Sequence, residues 1–192
     1  MKKAFLLLTA IFTMLSCKHE EKPKEVDLSN SIFQLDSTWE DQNGQKIKLA
    51  ELNGKILVIA MIYTECKTAC PMLTNEMRNI ERSIGNYDPA QVRLVLVSID
   101  PKTDTPEKMK AYLKLNNFEG EQWLFLRSDD ESTREFANVL SVKYKKISPM
   151  DFSHSNIITV FSKYGELAYQ KAGLSNDIKD VAEEVKEQIK KS

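Results

Sequence analysis

The stretch Ile56-Leu57-Val58-Ile59-Ala60-Met61-Ile62-Tyr63-Thr64-Glu65-Cys66-Lys67-Thr68-Ala69-Cys70-Pro71, ILVIAMIYTECKTACP, carries an unbroken apolar run straight into a pair of cysteines. A continuous apolar run from Ile56 to Tyr63 suits a strand buried on both faces, as in the core of a parallel sheet. Beyond Pro71, Leu73, Met77, Ile80 and Ile84 recur at helical spacing, and Gly85 is placed to end the helix. A buried strand therefore delivers Cys66 at its C-terminal end. With Pro71 as the first helical residue, Cys70 falls beside the helix N-terminus, where unpaired amides favour negative charge.

Working outward, Val92 to Ile99 is a second buried strand, and Asp104-Thr105-Pro106-Glu107 opens a helix with Met109, Tyr112 and Leu113 on one face. Trp123 to Leu126 is a short apolar run, and Ser132 to Leu140 a short helix. The segments Asn156 to Phe161 and Glu166 to Tyr169 flank the turn Lys163-Tyr164-Gly165, and a last helix carries Ile178, Val181, Val185 and Ile189. Upstream, Ile32 to Leu35 and Lys46 to Leu49 alternate around Asn43-Gly44, a hairpin signal. Strand, helix, strand, helix, strand, then a hairpin and a closing helix predicts an α/β, thioredoxin-like fold: a central mixed β-sheet flanked by helices, with an N-terminal β-hairpin.

The chain of 192 residues, 42% apolar and 29% charged, is long enough for one domain with a real core. Its 27 basic and 28 acidic residues show no long basic block away from the ends, which argues against nucleic acid as a partner. Residues 1–16 read as a signal segment: Lys2-Lys3, then a nearly wholly apolar run to Leu15, too short to span a bilayer comfortably. Met14-Leu15-Ser16-Cys17 resembles the lipobox of bacterial lipoproteins, which makes Cys17 the expected lipidation site; the alternative is an ordinary signal with a stray cysteine. Residues 17–30, charged and including His19, read as a solvated tether, and 31–192 as the folded domain. The expected setting is a bacterial cell envelope, with the domain outside the cytoplasm and anchored to a membrane by lipid.

Cysteine acts as a nucleophile or ligand only as thiolate. Cys66 and Cys70 are spaced so that a helical turn brings them to one face, close enough for a disulfide and equally close enough to share a metal ion. Spacing leaves bridge, redox pair and metal site open. A soft-metal site needs a third donor, and outside the tether the chain has one histidine, His154, in Met150-Asp151-Phe152-Ser153-His154-Ser155-Asn156 ahead of the late hairpin. In a thioredoxin-like fold, the loop before that strand faces the cysteine loop. Two thiolates and one imidazole suit copper better than oxygen-seeking cations, and a three-coordinate site suits copper(I).

These residues, taken in order, resemble the Sco/SenC family of membrane-anchored, thioredoxin-fold copper proteins that help assemble the copper centre of cytochrome oxidase. The resemblance rests on Gly54-Lys55, Tyr63-Thr64, the Cys66/Cys70 pair with Pro71, Val97-Ser98-Ile99-Asp100-Pro101 running into Asp104-Thr105-Pro106-Glu107, and His154-Ser155. It implies copper as the bound metal, with Cys66, Cys70 and His154 as ligands. It also implies Cys66 and Cys70 as a redox pair served by a thiol reductant, Asp100 as a residue supporting the site or contacting a partner, and an oxidase subunit as the receiver of copper. The chain departs from the family pattern at Lys67-Thr68-Ala69, where Pro-Asp-Val is usual, and at Ser153, where Asp is usual. Lys67 is expected to favour the thiolates electrostatically. The competing function is a cell-envelope thiol-disulfide oxidoreductase or thiol peroxidase without a metal role.

Overall fold

The computed structural model describes residues 30–192 apart from Glu119, Met150 and Asn176. The expected signal segment and nearly all of the expected tether, with Cys17 and His19, lie outside the described residues. The apolar run becomes β3 (Ile56–Ile62), buried at every position. It pairs in parallel with β4 (Val92–Ser98), from Ile56 against Val92 to Ile62 against Ser98, and β4 pairs in parallel with β5 (Trp123–Arg127). On its other edge β3 pairs antiparallel with β8 (Ile157–Phe161), which turns into β9 (Leu167–Ala172). With the hairpin strands β1 (Thr38–Asp41) and β2 (Lys46–Lys48), the sheet order is β2-β1-β5-β4-β3-β8-β9.

Helix α1 (Ala69–Ile84) links β3 to β4, and α2 (Pro106–Leu115) links β4 to β5. Both crossovers step along the sheet in the same direction, so right-handed connections place them on one face. Contacts agree: the Tyr112 hydroxyl of α2 donates to Thr74 Oγ1 of α1 at 3.4 Å. The C-terminal helix α4 (Lys179–Lys190) packs beside α1 on that face. Neighbouring residues of a strand point to opposite faces, and β9 uses this. Lys171 reaches Glu76 of α1, while Gln170 donates to the Leu140 carbonyl at the end of α3 (Asp130–Val139), so α3 covers the other face. There Phe136 meets the Trp39 ring edge-on at 5.2 Å.

Two strand regions differ from the sequence reading. The hairpin exists, but its first strand is Thr38–Asp41, and Ile32–Gln34 is a short 3-10 turn. The Ser31 hydroxyl accepts the Phe33 N–H and donates to the Tyr164 carbonyl, while Ile32 N–H donates to the Gly165 carbonyl. Such a local side-chain bond draws the backbone into a turn, and adjacent Ile32 and Phe33 bury together against the β8–β9 turn instead of alternating. The Asn43-Gly44 turn forms as expected, with Asp41 Oδ1 accepting the Asn43 and Gln45 N–H groups at 2.8 Å each.

The second difference is an added ribbon. Tyr144–Ser148 forms β6 and Asp151–His154 forms β7, paired antiparallel with Tyr144 opposite His154. Among the described strands they bond to each other and to no strand of the larger sheet. YKKIS and DFSH carry no apolar alternation that announces a strand; cross-strand pairing and the half-buried Tyr144, Phe152 and His154 hold them instead. His154 therefore ends a strand and is not part of a loop. No helix among the described residues is long and apolar enough to cross a membrane.

Candidate metal centre

Register explains how residues distant in sequence meet. Because β8 is antiparallel to β3, with Ala60 opposite Ile158, the start of β8 lies at the C-terminal end of β3, and His154 just before it stands over the cysteine loop. The parallel partner β4 ends at the same level, and Ile99 N–H donates to the Ile62 carbonyl at 2.9 Å. The turn from Asp100 to Asp104 thus lies alongside Tyr63 to Cys66.

Cys66, Cys70 and His154 converge: their ligand atoms all lie within 4.8 Å of one another. His154 Nε2 is 3.5 Å from Cys70 Sγ, and Nδ1 is 3.1 Å from the Ser155 carbonyl. That carbonyl can only accept, so the proton belongs on Nδ1 and the Nε2 lone pair faces the sulfurs. Both cysteines are unbridged and buried. Three donors bound to one soft ion would lie about 4 Å apart or less, so a small contraction closes the site. Among the described residues no carboxylate joins the group, and the donor set is two sulfurs and an imidazole.

The helix begins earlier than Pro71. Ala69 is its first residue, Cys70 its second and Pro71 its third, still within the turn whose amides lack helical partners. The amide advantage therefore goes to Cys66. Burial pushes the Cys66 thiol up, but the Cys70 thiol, the Cys70 and Thr68 amides and the Tyr63 hydroxyl all favour its thiolate, and the outcome is a pKa below the ordinary thiol value. Cys70 goes the other way: burial, then the neighbouring Cys66 sulfur, push its thiol well up. This corrects the expectation that the helix end would activate Cys70. Lys67 is exposed, and hydrogen bonds to Cys66 carry the main stabilisation of its thiolate. Burial also holds the His154 imidazole below its usual pKa, against the Ser155 carbonyl, which favours the charged ring.

Asp100 lies in the turn after β4. Its N–H donates to Ser98 Oγ at 3.0 Å, and its carbonyl accepts the Thr103 and Asp104 N–H groups. It is not one of the three converging ligand groups. The acid that touches the cysteine loop is Asp104, fully buried, which accepts the Thr64 N–H and hydroxyl and the Ser98 hydroxyl. Sequence reading placed Asp104 in a stretch that opens a helix, as it does with Thr105 as the cap, and missed this buried role. It also passed over the Tyr63 hydroxyl and Asp151, which meet at 2.5 Å. A tyrosine ending a wholly apolar strand was the one available signal.

The family model described as SCO1/SenC matches residues 25–190. The SCO2-like protein RT0576 of Rickettsia typhi is 25% identical over 171 residues, 84% of this chain and 82% of that protein. Among solved structures, ScoI of Bradyrhizobium japonicum with copper bound aligns at 26% identity and TM-score 0.64, covering 81% of this chain and 96% of that one. A SCO1/SenC family lipoprotein from Bacillus anthracis aligns at 23% identity and TM-score 0.71, covering 79% and 91%.

Proposed function

The chain belongs to the SCO1/SenC family, and from that premise we propose that it is a copper metallochaperone: reduced Cys66 and Cys70, with His154, take up copper as cargo and pass it to the copper centre of a respiratory oxidase during its assembly. The observation that carries this reading is the convergence of two sulfurs and one free imidazole nitrogen within 4.8 Å. Soft sulfur and imidazole donors favour copper over the oxygen-seeking cations. The related ScoI of Bradyrhizobium japonicum holds copper, and another solved relative, BsSco, is a member of the Sco family of cytochrome c oxidase assembly proteins. Oxidation of Cys66 and Cys70 to a disulfide removes two ligands, so a thiol reductant gates loading. Asp100, in the turn beside the cysteine loop, is proposed as a contact for the receiving protein.

A second reading is favoured by the split between a thiolate-stabilised Cys66 and a proton-holding Cys70. That pairing of an attacking and a reserve thiol is what thiol-disulfide exchange uses. The readings separate in one titration: the reduced chain is titrated with copper, alongside His154→Ala, and followed by thiolate-to-copper absorption. Stoichiometric binding weakened by His154→Ala supports the chaperone; absent binding with rapid disulfide reduction supports the oxidoreductase. Transfer is checked by mixing the loaded protein with the copper-free receiving domain of an oxidase.

The lipobox-like Met14-Leu15-Ser16-Cys17 supports anchoring through a lipid on Cys17 in a bacterial cell envelope. A structural relative from Bacillus anthracis is a lipoprotein. Cys17→Ser should release the protein from the membrane fraction and abolish incorporation of labelled fatty acid.

A further inference from the structure

The β6–β7 ribbon stands apart from the larger sheet yet carries His154, so its position over the cysteines must be fixed by other contacts. At its base, Ser155 N–H donates to the Lys143 carbonyl at 2.8 Å, and Lys143 N–H donates to Ser155 Oγ at 3.2 Å. These bonds close the ribbon on itself. Near its other end the contacts converge on the Tyr63 hydroxyl, which donates to Asp151 Oδ1 at 2.5 Å and accepts the Phe152 N–H at 3.3 Å. The same hydroxyl favours the thiolate form of Cys66. The Tyr63 ring lies 5.2 Å from the Phe152 ring and meets the His154 ring edge-on at 6.1 Å.

Tyr63 directly follows β3, the most deeply buried strand, and is itself 1% exposed. It is a rigid post beside a ribbon whose own residues are mostly exposed or half-buried. We propose that Tyr63 is a positioning residue: its hydroxyl, through Asp151, latches the ribbon to the end of β3 and so sets where His154 Nε2 stands relative to Cys66 and Cys70. The ligand role of His154 rests on the metal reading above; the latch is a property of the metal-free protein. Phenylalanine at 63 keeps the ring packing and removes both bonds to the ribbon. A hydrogen bond to a carboxylate is worth more than a neutral one, and partners that orient a ligand without touching the metal commonly shift affinity by about 10- to 100-fold.

The test begins without metal. Peptide-resolved amide exchange of the reduced full chain is compared among wild type, Tyr63→Phe, Asp151→Ala and Asp151→Asn. Exchange in β6 and β7 should rise roughly tenfold in Tyr63→Phe and Asp151→Ala. It should stay near wild type in Asp151→Asn, which keeps an acceptor for the hydroxyl, and β3 and β4 should be unchanged in all four. Copper titrations then place Tyr63→Phe in two backgrounds, with a loss of about 10- to 100-fold expected where His154 is present and a clearly smaller one in His154→Ala, where only the effect of the hydroxyl on the Cys66 thiolate remains. Unchanged ribbon exchange in Tyr63→Phe overturns the latch, and equal losses in both backgrounds overturn its action through His154. If the wild type takes up no copper while the ribbon still responds, the latch stands and the metal reading falls.

Discussion

The Cys66 sulfur accepts the Cys70 N–H at 3.3 Å, standing where a side-chain oxygen ordinarily caps a helix. Thr68, in the capping position of α1, makes no such bond. One sulfur is thus both the end-piece of a helix and a candidate ligand, so the spacing of the two cysteines determines which of them gains from the helix amides.

The first prediction concerns their order of reaction. Cys66 should be alkylated first in the reduced, metal-free protein, with a midpoint below the ordinary thiol value of 9.0. Cys70, buried and facing another sulfur, should lag at every pH. Iodoacetamide labelling followed by peptide mass spectrometry reads both rates at once. Equal rates, or Cys70 reacting first, would refute the assignment of the thiolate to Cys66.

His154 gives a pH dependence whose sign is fixed by its burial. Its folded pKa lies below 6.5, so the stability it contributes is fully present above 6.5 and is lost as pH falls from there through the folded value. In that window the unfolded chain has taken up a proton that the folded protein has not. The urea midpoint of wild type relative to His154→Gln should be flat above 6.5 and decline below it. A difference that grows as pH falls would mean that the folded state stabilises the imidazolium instead.

Away from the site, Lys171 and Glu76 form a pair at 2.6 Å, with side chains 10% and 5% exposed. Glu76 also accepts the Ser175 N–H, so the pair ties β9 and the segment after it to α1. Removing one charge strands the other in a low-dielectric setting. Lys171→Met should cost about 3–5 kcal/mol in chemical denaturation, and adding Glu76→Gln should recover much of it. Additive losses would show that the pair is not coupled.

The legible parts of this fold were those with strong local patterns. Ile56 to Tyr63 announced a buried strand, and the helical stripe from Leu73 to Ile84 announced α1, because burial on both faces or on one stripe writes itself into composition. Cys66, Cys70 and His154 were legible as a set because beyond the tether the chain has only these two cysteines and this one histidine. The β6–β7 ribbon was not: its strands are polar, and its order comes from Tyr63, which is distant in sequence. The same limit hid Asp104, whose partners Thr64 and Ser98 are brought together by the parallel register of β3 and β4 and by no local signal.

Asp100 and Asp104 separate backbone support from side-chain support. Asp104 accepts the Thr64 hydroxyl and the Ser98 hydroxyl at 2.5 Å each, and the Thr64 amide at 3.2 Å, fixing the chain two residues before Cys66. Burial raises its pKa; the Ser98 and Thr64 donors oppose this, and the nearby Asp100 carboxylate adds to the rise. Asp104→Ala leaves those buried donors without an acceptor and should cost about 2–3 kcal/mol. Asp100→Asn keeps the main-chain bonds to Ser98, Thr103 and Asp104 and removes a like charge, so stability should change little and the Asp104 carboxyl should titrate lower. Denaturation midpoints and carboxyl-carbon NMR titration measure both effects. If Asp100→Asn proves as damaging as Asp104→Ala, the Asp100 carboxylate, and not its backbone, holds the turn.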